Sequence, residues 1–201
     1  NNMALASIDL GELEMAEIHY RESLAIDPQA ALYNDLGFVL ERQGLSEDAA
    51  LAYRKALELD PESSAAHYNL GASLARTGQY AEAEKHLHTA LDKDPNSQTY
   101  TVLGIVQLQQ GQADEAIASL EFGIAADQGN AAAYDALSKI YIERGQLEEA
   151  ESTYRRLLKN QPSAAAHQAL AQVLARLGRM EEASQEMAKA QAFDRSAGQV
   201  R

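Results

Sequence analysis

Glycine returns along this chain at Gly11, Gly44, Gly78, Gly111, Gly145 and Gly178, every 33 or 34 residues. A fixed interval of that length means one small structural unit built several times over. The rest of the chain keeps the same phase. An alanine stands five residues after each of these glycines, at Ala16, Ala49, Ala83, Ala116, Ala150 and Ala183. A leucine and a small residue precede five of them in register, as Leu36-Gly37, Leu70-Gly71, Leu103-Gly104, Leu137-Ser138 and Leu170-Ala171. Prolines close the unit at Pro28, Pro61, Pro95 and Pro162.

The unit is clearest in residues 67–95. Tyr68 to Ala75 reads as a short amphipathic helix with Leu70, Gly71 and Leu74 on one face. Gly78 follows, where a helix end often needs a left-handed residue. Tyr80 to Leu91 reads as a second helix with Ala83, Leu87 and Ala90 along one stripe. Pro95 has no amide to donate and ends it. Alanine and glycine at facing positions let the two helices approach closely. One such pair buries too little apolar surface to stand alone, so it needs a copy of itself on each side. Abundant Ala and Leu with few β-branched residues fit an all-helical chain.

These landmarks resemble the tetratricopeptide repeat. That family places an aromatic, Leu-Gly, a second large residue, a loop Gly, then alternating aromatics and alanines before a Pro, over 34 residues. One unit here reads His67, Leu70, Gly71, Leu74, Gly78, Tyr80, Ala83, Leu87, Ala90 and Pro95. The unit before it reads Tyr33, Leu36, Gly37, Leu40, Gly44, Ser46, Ala49, Tyr53, Ala56 and Pro61. The resemblance implies an all-α fold, a right-handed α-solenoid of helix–turn–helix repeats forming one domain. The expected units are a partial repeat at 1–29, full repeats at 30–63, 64–96, 97–130, 131–163 and 164–195, and a tail at 196–201. Residue 1 matches the fifth position of a repeat, so the chain is expected to be a fragment or to have lost its first turn. At the other end, the face made by Ala183, Met187, Ala190 and Phe193 is expected to be partly uncovered. Truncation is the preferred reason, self-association through that last helix the other.

The fourth unit, 97–130, departs furthest from the pattern. Gly123 stands where the second helix has alanine elsewhere, and Gln128-Gly129-Asn130 replaces the proline turn. Glycine in a helix interior costs about 1 kcal/mol against alanine. Amides near 123–130 are therefore expected to exchange with solvent about fivefold faster than those of 49–60. Equal or slower exchange there would refute the weak point.

The net charge of −13 argues against sequence-independent nucleic-acid binding, which needs a basic surface. It also argues against an anionic membrane surface. No apolar run is long enough to span a bilayer and no signal-like start is evident, so a soluble cytoplasmic or periplasmic chain is expected. Much of the acidity has a structural reason. Glu47-Asp48, Glu82, Asp114-Glu115, Glu148-Glu149 and Glu181-Glu182 fall in the first turn of second helices, against the positive end of the helix dipole.

Chemistry is hard to find. There is no cysteine, hence no disulfide and no thiolate metal site. His67 and His167 take the repeat's first aromatic position, where packing explains them. His86 and His88 point to different helix faces and cannot chelate one metal together, and His19 stands apart. No phosphate loop, nucleophile elbow or paired carboxylates appear. No cofactor, no metal and no catalytic activity are expected. Tyr20, Tyr33, Tyr53, Tyr80, Tyr100, Tyr134 and Tyr154 read as packing residues.

What remains is a binding surface. In the tetratricopeptide family, first helices of successive repeats line a concave groove. The resemblance implies that Asn34, Asp35, Phe38, Arg42, Tyr68, Asn69, Arg76, Gln98, Thr101, Ile105 and Gln109 face a ligand. Further along it implies Asp135, Lys139, Glu143, Gln168, Gln172 and Arg176. Amides can pair with both the donor and the acceptor of an extended backbone. Phe38, Tyr68 and Ile105 can receive apolar side chains. The carboxylate clamp of chaperone-binding members is broken, because Gln98 and Val102 stand where basic residues are needed and Phe38 or Ala72 where an asparagine is. The resulting expectation is a protein–protein interaction scaffold, holding a peptide or protein segment in the groove. The alternatives are a substrate-recruiting arm of a larger enzyme, such as a glycosyltransferase, and a self-assembling structural solenoid. The even, Ala-rich repeats fit a bacterial source, where such modules often assist assembly of envelope machines, pili or export systems, an analogy of fold alone.

Overall fold

The computed structural model describes residues 4, 7 and 11–198. Among the described residues eleven helices follow one another and no strand occurs. They are α1 (Leu13–Ile26), α2 (Ala30–Arg42), α3 (Ser46–Leu59), α4 (Ser64–Arg76), α5 (Tyr80–Lys93) and α6 (Ser97–Gln109). Then come α7 (Ala113–Ala126), α8 (Ala131–Glu143), α9 (Leu147–Asn160), α10 (Ala164–Arg176) and α11 (Met180–Gly198). Two compact units result, residues 1–111 with α1–α6 and residues 112–201 with α7–α11.

The loop glycines do what their spacing implies. All six have positive φ, between 71° and 83°, a region that an L side chain enters only at a cost. At Gly78 the reversal is closed by Gly78 N–H donating to the Ala75 carbonyl at 3.1 Å and Gln79 N–H to the Leu74 carbonyl at 2.9 Å. Helix starts are fixed by side chains that the hydrophobic pattern does not register. Ser63, Asn96, Asn130 and Ser163 each accept a hydrogen bond from the amide three residues on. For this reason α4 begins at Ser64 rather than at Tyr68.

Packing explains the alanines. Ala16, Ala49, Ala83, Ala116 and Ala150 have no exposed surface, and Ala183 is buried too. Each lies one turn into a second helix, where its partner helix crosses closely. Gly71 makes the same point from the other side. A Cβ added there would stand 2.8 Å from Leu87 Cγ and 3.1 Å from the Ala83 carbonyl oxygen.

In the first unit α2 packs on α3 and α4 on α5, while α3–α4 and α5–α6 join neighbouring pairs. The first helices α2, α4 and α6 also lie side by side. Arg54 of α3 reaches Glu82 of α5 at 3.0 Å, and Ser73 Oγ of α4 donates to the Ser46 carbonyl at 2.9 Å. In the second unit α8 packs on α9 and α10 on α11, with α7–α8 and α9–α10 joining them. Arg156 holds Glu121 through two bonds of 2.8 Å each.

Three places gain detail from the structure. The last helix is better covered than foreseen: Ala190 is fully buried and Ala183 nearly so, because α11 packs along α10. Met187 and Phe193 stay about two-fifths exposed. The histidines at the first aromatic position pack, His67 against the His86 ring and His167 against the Phe193 ring, and are polar partners as well. His67 Nδ1 lies 2.9 Å from His86 Nδ1, and His67 Nε2 lies 3.1 Å from the Pro61 carbonyl oxygen. His167 Nδ1 lies 2.6 Å from Glu186. Finally, the turn that lacks proline is held by side chains. Helix α7 runs unbroken through Gly123, Gly129 N–H donates to Asp127 Oδ1 at 2.8 Å, and Asn130 caps α8.

Candidate functional site

The parallel placement of α2, α4 and α6 leaves a cavity of about 760 Å³ in the first unit. That volume falls within the range of ligand pockets. Its lining includes Tyr53, Ala72, Ala75, Val102 and Val106. It also includes Phe38, Arg42, Tyr68, Asn69, Arg76, Tyr80, Gln98, Ile105 and Gln109. Phe38 and Ile105 take the same repeat position on α2 and α6, with the small Ala72 between them on α4. Both large side chains stay more than two-fifths exposed, so apolar surface faces the cavity unburied.

The polar groups are partly organised. Asn69 Nδ2 donates to Asn34 Oδ1 at 2.8 Å, tying α4 to α2. Arg76 pairs with the carboxylate of Glu41, whose side chain is 7 % exposed. The Arg42 guanidinium stands 5.8 Å from the centroid of the Phe38 ring, a cation–π distance. Burial pushes the Tyr68 phenol above its ordinary value. Burial, then Tyr68 and Asp35 beside it, pushes the Tyr53 phenol higher still. Both rings therefore act as neutral hydrogen-bonding groups. Burial also raises the Asp35 carboxyl, and together with that carboxylate it pushes Tyr20 up to about 12.

Eight of the residues read from the sequence come together around this cavity: Phe38, Arg42, Tyr68, Asn69, Arg76, Gln98, Ile105 and Gln109. Asn34 contributes through Asn69, and Asp35 sits beside Tyr20 and Tyr53. Thr101 is a correction. It is 5 % exposed, and its hydroxyl donates back to the Ser97 carbonyl at 2.7 Å. A short side chain at the position of Tyr68 cannot reach the groove. Tyr53 and Tyr80 are corrected the other way: both pack, and both also line the cavity. Glu41 was not foreseen. Its signal was present, since Glu41 and Arg76 are 35 residues apart, as are Asn34 and Asn69, which places each pair on adjacent first helices.

In the second unit the named residues lie on α8 and α10. Lys139 pairs with Asp135 at 2.7 Å, and Tyr154 donates to Asp135 at 3.0 Å. Glu143, Gln168, Gln172 and Arg176 are exposed. Among the described residues no three His, Asp or Glu side chains converge as metal ligands, and no helix is long and apolar enough to cross a membrane.

Three models of the tetratricopeptide repeat match, one at residues 34–98, one at 107–173, and one at both 1–29 and 164–196. The chain belongs to the tetratricopeptide repeat family, an all-α helical repeat fold of protein-interaction scaffolds. Proteins of this fold are in general scaffolds and not enzymes. A peroxisomal targeting signal receptor of Candida albicans is 44 % identical over 73 residues, which is 36 % of this chain and 12 % of the receptor. The chain spans only 12 % to 21 % of the length of the first such relatives. Among solved structures, PilW, a type IV pilus biogenesis factor, superposes with a TM-score of 0.83 at 22 % identity, covering 95 % of this chain and 90 % of PilW. YrrB, a tetratricopeptide protein with an unusual peptide-binding site, superposes with a TM-score of 0.64 at 23 % identity, covering 87 % of this chain and 91 % of YrrB. At these identities the two structures establish the fold alone.

Proposed function

We propose that the groove on α2, α4 and α6 holds an extended segment of a partner protein, and that the chain works as an adaptor with no reaction step of its own. The observation that carries this is the cavity of about 760 Å³, where Phe38 and Ile105 stay exposed and Arg42, Arg76, Asn69, Gln98 and Gln109 share the lining. Aromatic rings and arginines of that kind are where binding energy concentrates. Amides of the lining, Gln98 and Gln109 among them, supply both donors and acceptors for a peptide backbone. The peptide-binding and targeting-receptor descriptions of YrrB and the Candida protein agree with this reading.

A displayed library of random 12-residue peptides tests it. The wild type is set beside a Phe38→Ala, Tyr68→Ala, Asn69→Ala variant whose helicity and melting are first shown to be unchanged. Enrichment by the wild type, lost at least tenfold by the variant, is the expected result. Equal enrichment by both, or none by either, would refute a peptide site in this groove.

A further inference from the structure

Residues 1–111 carry seventeen Asp and Glu against seven Lys and Arg. The groove inverts that balance. Two of the seven cations, Arg42 and Arg76, line it, and Glu41 is the one carboxylate among its lining residues. Glu41 is already paired with Arg76. Arg42 has no carboxylate partner among the described residues; its contact is the face of Phe38, with Cζ 5.8 Å from the ring centroid. Other lining residues, Asn69, Ala72, Gln98 and Val102 among them, carry no charge. Stacking on a ring fixes a guanidinium in place while its N–H edge stays available.

Building on the groove reading above, we infer that the occupant is a peptide carrying a single acidic side chain, seated on Arg42 and flanked by apolar or aromatic residues. The carboxylate takes the N–H edge of Arg42 in a charge-assisted, two-pronged bond. Its apolar neighbours fall on Phe38, Ile105 and Tyr80. One acid is selected rather than several, for two reasons. Arg76 is neutralised by Glu41, which leaves one cation for the ligand. The surrounding excess of carboxylates also repels a polyacidic chain before it arrives. Basic peptides would be drawn to the outer acidic surface and find no anion inside to meet.

The sequences enriched from the 12-residue library decide this. The expected outcome is a motif with one Asp or Glu among aromatic or aliphatic residues. The top peptide is then synthesised with its acid intact and with that acid changed to the amide. Fluorescence anisotropy on wild type and on Arg42→Gln should show about tenfold weaker binding for either change alone. Both changes together should cost little more than one, which marks a direct pair. Enriched peptides without an acid, with lysine or arginine in its place, or with additive losses would overturn the inference while leaving the groove in use. Failure to enrich any peptide would overturn the groove reading itself.

Discussion

Replacing Gly71 by valine is expected to lower stability by about 3 kcal/mol, enough to lose much of a typical folding free energy. The argument begins with the first carbon added. A Cβ at residue 71 meets Leu87 Cγ at 2.8 Å and the Ala83 carbonyl oxygen at 3.1 Å. Leu87 has no exposed surface and cannot swing into solvent. The Ala83 oxygen is helix backbone and moves only if α5 moves. Even alanine is expected to lose on balance: helix propensity favours it by about 1 kcal/mol, but overpacking costs about 1–3 kcal/mol. Valine adds two methyl groups and a restricted χ1. A double-mutant cycle separates this cause from a general intolerance of change. Leu87→Ala alone should cost about 2–5 kcal/mol by leaving a cavity. Combined with Gly71→Ala it should cost less than the two single changes together, because the new methyl fills space that Leu87 vacated. Strictly additive urea-unfolding energies would show that the close approach of α4 and α5 is not what the glycine permits.

That glycine was legible in the sequence because a repeat turns one packing requirement into several aligned observations. Gly37 makes the point again, since a Cβ there would fall 2.5 Å from Tyr53 Cε1. The helix-ending glycines and buried alanines were legible for the same reason. What periodicity could not supply was the non-periodic detail on which the candidate site depends. Arg42 and Arg76 occupy one repeat position, yet Arg76 meets the buried carboxylate of Glu41 while Arg42 is left to a ring. Thr101 shares the position of Tyr68 but is too short and bonds its own backbone. Tyr80 fits the packing pattern and also faces the cavity. A repeat motif averages over positions, whereas recognition depends on where neighbouring repeats differ.

The slot joining the first helix to the second, 19 residues apart in sequence, shows such a difference with a measurable consequence. In one repeat it holds His67 and His86, and in another His167 and Glu186. Changing Glu186 to glutamine is expected to cost about 1–2 kcal/mol at pH 7. Glu186 is 7 % exposed, with His167 Nδ1 at 2.6 Å and Lys189 Nζ at 2.7 Å. Burial by itself would push its carboxyl up. The hydrogen bonds from Lys189 and His167 outweigh that and hold it below the usual carboxylate range. A group whose pKa is lower folded than unfolded stabilises the fold above its unfolded value, about 4.3 for glutamate. It gives that stability up as pH falls through the folded value. The gap between wild type and Glu186→Gln should therefore be widest near neutrality and close as pH falls past the ordinary glutamate value of about 4.3 and on through the lower folded value. The His67–His86 slot also weakens with acid, but earlier. Burial, reinforced by His67, pushes the His86 imidazole down, so the unfolded chain takes up a proton near pH 6.5 that the folded chain resists. Since the glutamine variant keeps that histidine pair, its own curve should still begin to fall as pH drops below about 6.5, ahead of the carboxylate step. Thermal melts of both chains from pH 7 to pH 3 separate the two steps. A difference that stays constant across that whole range would mean that the Glu186 charge contributes nothing to holding α11 on α10.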